Sequence, residues 1–132
     1  VLAALEPSDY QLLIEAAILG KESTVSACIA AGFPVNTTDK AGATALHYSA
    51  LHGRARQVRM LLQAGAATDI RDKEHSSTPL GWAYFGADFL GDTDGDYEDS
   101  VLALLEAGAR LQANEREPEH EGVRRVIERF SQ

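Results

Sequence analysis

The chain has 132 residues, 45% hydrophobic and 24% charged, the make-up of one soluble globular domain. Its formal charge of −8 and pI near 4.9 oppose nucleic acid and anionic lipid and suit a partner with a basic surface. No run of about 18 apolar residues offers a membrane span, and with Cys28 as the single cysteine neither an internal disulfide nor a paired-thiol zinc site can form.

The chain starts at Val1 without the basic-then-apolar order of a signal peptide, which suggests an excised domain, and a cytoplasmic, reducing setting is expected. Val1 to Leu5 is apolar and reads as a short helix or the stump of a preceding element. A helix entered from Ser8 as cap follows, with Leu13, Ala16 and Ala17 on one face. After Gly20 a second helix carries Val25, Cys28 and Ile29 at i, i+3, i+4 and stops at Gly32. The pattern then returns. Gly20 and Gly53, Gly32 and Gly65, and Asp39 and Asp72 are each 33 residues apart. Thr44 caps a helix with Leu46, Ser49 and Ala50 on its inner face, and Val58, Leu61 and Leu62 form the next stripe. In the third copy Thr78 is the cap, Pro79 takes the first helical position, and Leu80, Ala83 and Tyr84 are followed by the stripe Val101, Leu104 and Leu105 and by Gly108. Ser49 and Tyr84 stand where small alanines are expected, which predicts uneven spacing beside the third copy. Beyond Pro118 an amphipathic helix over Glu119 to Phe130 carries Val123, Val126, Ile127 and Phe130.

The segment from Asp39 to Arg71, with Gly42, Thr44-Ala45-Leu46-His47, Ala50, Gly53, Val58, Leu61-Leu62 and Gly65-Ala66, resembles the ankyrin repeat, and the resemblance runs over about residues 10–115. Gly32-Phe33-Pro34-Val35 and Pro79-Leu80-Gly81-Trp82-Ala83 are similar to repeats of bacterial type. The resemblance implies an all-α solenoid of stacked helix-turn-helix units with projecting β-hairpin-like turns. Its units would be repeat 1 at about 8–38, repeat 2 at about 39–71, repeat 3 at about 72–114 with an insertion at 87–100, and a C-terminal capping helix at about 118–130. One such unit cannot bury its apolar face alone, so about three must stack. The resemblance also implies a protein partner held in a concave groove lined by turn tips and first helices, with no catalysis and no cofactor. By position, the groove residues are Lys40, Ala41, Ala43, Tyr48, Leu51 and His52 in repeat 2, with Ile18 and Leu19 in repeat 1. Repeat 3 adds Lys73, Glu74, Ser77, Trp82 and Phe85. Trp82 and Phe85 have an alternative place, packed under the insertion. His47 falls where the family's imidazole bonds to turn backbone, while His52 would touch a ligand and His75 and His120 would be exposed.

The insertion is foreign to the repeat. Thr44 to Val58 spans 14 residues but Thr78 to Val101 spans 23. Asp88, Asp92, Asp94, Asp96, Glu98 and Asp99 lie there without a Lys or Arg, so that −6 of the net −8 is local. Three readings stand: a docking loop for a basic partner, a solvated spacer, or a divalent-cation loop. A calcium loop would take Asp92, Asp94 and Asp96 as its first ligands, but its glycine position holds Tyr97 and its glutamate position Ala103. No metal site is assigned. Catalytic patterns such as HExxH, a phosphate-cradling loop or a serine elbow are absent from the sequence. Cys28 sits on an apolar stripe and reads as a buried small hydrophobe. The function expected is protein recognition. The alternative is an accessory or regulatory domain docking in cis on a larger enzyme, and a metal-dependent catalyst is a remote third.

Overall fold

The computed structural model describes residues 7–132, so the apolar segment Val1 to Leu5 lies outside the described residues. Seven α-helices follow in order: α1 (Gln11–Leu19), α2 (Glu22–Ala30), α3 (Ala45–Leu51), α4 (Ala55–Gln63), α5 (Pro79–Phe85), α6 (Tyr97–Glu106) and α7 (Glu121–Phe130). Among the described residues there is no strand. First helices pack in one row, α1 on α3 and α3 on α5, and second helices in another, α2 on α4 and α4 on α6. The all-α ankyrin architecture is therefore present.

The apolar stripes make this stack. Leu13, Val25, Leu46, Val58, Leu61, Leu80, Val101 and Leu104 are fully buried, and Ala16, Ala17, Ala50 and Ala83 let first helices approach closely. Burying each leucine contributes about 1.5–3 kcal/mol, and the stripes of neighbouring units share one core. Cys28 is buried in it, and burial raises its thiol pKa, as a small hydrophobe requires. Ser49 departs from alanine for a reason: its buried hydroxyl accepts from Gln57 Nε2 at 2.9 Å, and the same amide nitrogen donates to the Ala17 carbonyl at 3.2 Å, tying repeat 2 to repeat 1.

Start and stop signals act as read. Thr44 Oγ1 accepts from the His47 amide and Thr78 Oγ1 from the Gly81 amide, both at 3.4 Å, and the helix-ending Gly20, Gly32, Gly53, Gly65 and Gly108 all have positive φ. The amino end differs from expectation. A 3₁₀ turn over Pro7–Tyr10 leads into α1, and the N-cap is Tyr10, without a side-chain cap bond, rather than Ser8. At the other end α7 packs on α6, and His120 caps it by accepting the Val123 amide on Nδ1 at 3.1 Å, so this imidazole is half-buried and not merely exposed. Val123 is fully buried, with Val126, Ile127 and Phe130 partly so.

Candidate functional site

Each tip is organised by an acid seven residues after a helix-ending glycine: Asp39 after Gly32, Asp72 after Gly65 and Glu115 after Gly108. Asp39 accepts from the Ala41 and Ala43 amides at 3.0 Å and from the Tyr48 hydroxyl. Burial, then the Asp39 carboxylate, push the Tyr48 phenol up to about 12. Asp72 accepts from the His75 amide at 2.8 Å, the Ser77 amide at 2.9 Å and the Trp82 indole at 3.1 Å. Burial alone would raise the Asp72 pKa, but these donors outweigh it and hold the carboxyl below its ordinary value. The Asp72 tip is one residue longer than the Asp39 tip, and Ser76, at φ 51°, absorbs the difference.

Neighbouring tips are joined. The Lys73 amide donates to the Ala41 carbonyl at 2.8 Å. His47 is fully buried, and burial lowers its pKa; it accepts the Thr44 amide on Nδ1 at 3.0 Å, so the proton is on Nε2, which donates to the Ser77 carbonyl at 3.1 Å. Repeat 3 has Gly81 where repeat 2 has His47. Glu115 fills that space from the next tip, accepting the Thr78 amide at 2.9 Å and both the Thr78 and Ser77 hydroxyls. A Cβ on Gly81 would stand 1.9 Å from Glu115 Oε2. A carboxylate thus does for repeat 3 what an imidazole does for repeat 2.

On this frame lies a groove of about 460 Å³ between α5 and the segment 114–116, with Leu51, Trp82 and Phe85 among its apolar lining and Ser77, Asp88, Glu115 and Arg116 at its polar edges. Trp82 is half-buried and packs edge-on against His47 and Tyr48, with centroids 5.0 and 5.2 Å away. Phe85 is 52% exposed and leans on Phe89, 55% exposed, at 4.9 Å. Phe89, an exposed ring the sequence did not mark, stands beside the groove rather than in its lining, and the Arg116 guanidinium lies over it. Ile18 and Leu19 are exposed on the first repeat. Lys40, Lys73 and Glu74 are exposed on the tips, Leu51 and His52 are half-exposed, Ser77 is spent on Glu115, and Ala43 is fully buried and lines no surface. His75 is exposed beside Asp72.

The insertion is built into the stack. Helix α5 runs on as a π turn over Gly86–Leu90, closed at Gly91, and a tight turn from Asp92 to Gly95 leads to Asp96, which caps α6 by accepting the Asp99 amide at 2.9 Å. Four contacts tie it back to repeat 2. Asp92 meets His52 Nδ1 at 2.7 Å, the Asp96 amide donates to the Gly53 carbonyl at 2.6 Å, and the buried Tyr97 hydroxyl donates to the Leu51 carbonyl at 2.9 Å. Asp99 takes Arg59 through two nitrogens at 2.5 and 3.1 Å, and this guanidinium holds the Asp99 carboxyl below its ordinary value. In the other direction Asp88 accepts the Glu119 and His120 amides at 3.0 and 2.8 Å, at the start of α7. Asp94 and Glu98 are exposed. Among the described residues no three His, Cys, Asp or Glu side chains are gathered as a metal would need, and no helix is long and apolar enough to cross a membrane.

Comparison with known proteins agrees with this geometry. The family model for ankyrin repeats (many copies) matches residues 13–62. The chain is 31% identical over 109 residues to Palmitoyltransferase Hip14 of Drosophila melanogaster, covering 81% of this chain and 16% of that protein. It is 34% identical over 78 residues to Putative palmitoyltransferase ZDHHC13 of Danio rerio, covering 59% and 12%, and 39% identical over 72 residues to Glycerophosphocholine phosphodiesterase gde1 of Schizosaccharomyces pombe, covering 54% and 5%. The chain thus spans less than a fifth of the length of each of these relatives. Repeat spacing, stacked helical pairs and sequence likeness converge, and the chain belongs to the ankyrin-repeat family.

Proposed function

We propose that this chain is a protein-recognition module that takes a partner segment in its concave groove and performs no chemistry of its own. The observation that supports this most is Phe85, half exposed beside Trp82 and Leu51 in the lining of one groove, with the exposed Phe89 ring packed against it. Rigid aromatic and aliphatic side chains of this type dominate interface energies once water is excluded. The indole and phenol of Trp82 and Tyr48 are fixed by Asp72 and Asp39, so these rings are already ordered before a partner arrives and little entropy is lost on binding. The acidic insertion, with Asp94 and Glu98 exposed, steers a basic partner surface toward the groove. A cytoplasmic setting fits the single reduced thiol of Cys28.

The test is affinity capture from cell extract with the wild-type chain and the Phe85→Ala variant, each checked for the same thermal melt. Phe85 is chosen because Trp82 also holds a tip together. Equal capture of the same protein by both refutes the groove reading.

A second reading has its own support. The relatives are named as enzymes, and this chain matches only a small part of each. On that reading the groove docks in cis on a catalytic domain of the same polypeptide. Hydrogen exchange on a full-length protein separates the two: groove amides protected without any added partner favour docking in cis.

A further inference from the structure

Beside the groove lies a second, polar cavity of about 850 Å³. The groove reaches Leu51 and the cavity reaches His52, adjacent residues at the end of α3, so one short segment laid across that end touches both. Five carboxylates line the cavity against two guanidinium groups, those of Arg54 and Arg56, and the Arg54 guanidinium is laid against Gly20. Asp92 and Asp99 are answered by His52 and Arg59, whereas Asp94 is exposed and has no partner among the described residues. Gln57 also lines the cavity. It is 1% exposed, its amide nitrogen is spent on Ala17 and Ser49, and its Oε1 is the one buried side-chain polar atom without a hydrogen bond among the described residues.

Carboxylate oxygens and an unanswered amide oxygen all accept, so the group that matches them only donates: an ammonium or a guanidinium. Leu19, 64% exposed at the same cavity, offers an apolar ledge for the methylene stem of such a side chain. We infer that groove and cavity form one bipartite site, whose occupant is a partner segment carrying a large apolar side chain for the groove and, a few residues along, a lysine or arginine for the acidic cavity. This rests on the groove reading above and adds to it the chemistry of the partner.

The probe is a phage-displayed library of random peptides of about 12 residues, panned on the whole chain. The strongest peptide is then synthesised and titrated by calorimetry against wild type, Asp94→Lys and Phe85→Ala. Both replaced side chains are exposed, so both variants retain the wild-type melt. Recovered peptides share an apolar residue and a Lys or Arg at one fixed spacing. Asp94→Lys weakens the chosen peptide about tenfold, and a peptide with its basic residue replaced by alanine binds wild type and Asp94→Lys alike. Recovered peptides without a basic preference, or a basic residue felt equally by both proteins, overturn the bipartite site. If Phe85→Ala still weakens those peptides, the groove reading survives that failure. Peptides indifferent to Phe85→Ala, or no enrichment over heat-unfolded chain, count against both.

Discussion

Glu115→Ala removes one carboxylate that answers four donors: the Ser77 hydroxyl at 2.6 Å, the Thr78 amide and hydroxyl, and the Gln112 amide at 2.9 Å. The Thr78 amide matters most, since Thr78 is 1% exposed and water cannot replace the lost acceptor. A buried donor left unpaired costs about 1–3 kcal/mol, and the bonds it had to a charged group were the stronger kind. The sum expected is about 3 kcal/mol, read in urea unfolding followed by circular dichroism, or about 10 °C in melting temperature for a domain of this size. Gly81→His alone is also destabilising, because its Cβ would collide with Glu115 Oε2. Combined, Gly81→His and Glu115→Ala rebuild the arrangement of repeat 2, in which His47 Nδ1 takes the Thr44 amide. The double variant is therefore more stable than either single one, with a coupling of at least about 1 kcal/mol. A Glu115→Ala loss below about 0.5 kcal/mol, or a double variant no better than the worse single, refutes the equivalence of carboxylate and imidazole.

Other outcomes follow from the same geometry. Asp88→Ala unties the insertion from the start of α7, costing about 1–2 kcal/mol, and hydrogen exchange of α7 amides accelerates before that of α3. Gly86→Ala would place a Cβ 2.0 Å from the Leu51 carbonyl oxygen, so it lowers stability by about 1–3 kcal/mol in chemical unfolding. The Asp72 carboxyl is held below its ordinary value, so its contribution is fully present above the unfolded pKa and is lost as pH falls through the lower folded one. Melting temperatures of wild type and Asp72→Asn measured from pH 2 to 6 therefore differ most at the upper end and converge in acid.

The repeat was legible because its signals are local: a threonine cap, a glycine stop and an i, i+3, i+4 stripe each act within one or two helical turns. Val58, Leu61, Val101 and Leu104 are buried as their spacing requires. Glu115 was legible only in retrospect, by its seven-residue distance from Gly108, since its partners Ser77 and Thr78 lie 38 and 37 residues earlier. The insertion was hardest. Six acids in one stretch look alike in sequence, but Asp92, Asp99 and Asp88 find partners 40, 40 and 31–32 residues away, and only the folded stack decides which acids those are. Phe85 and Phe89 stand at i, i+4, the spacing of an inward stripe, yet both rings are exposed, and only the folded stack shows on which side of α5 they lie.

Arrays of this kind grow in evolution by copying a unit, since any copy offers the same faces to its neighbours. The third unit has surrendered that freedom. Its insertion is a strut keyed to His52, Gly53 and Arg59 before it and to the Glu119 and His120 amides that lead into the closing helix after it. A tandem duplicate of this unit would meet its own sequence on one side, leaving carboxylates without their counterparts, so gene duplication here would yield a poorly matched joint. The order of units in this chain is thereby locked.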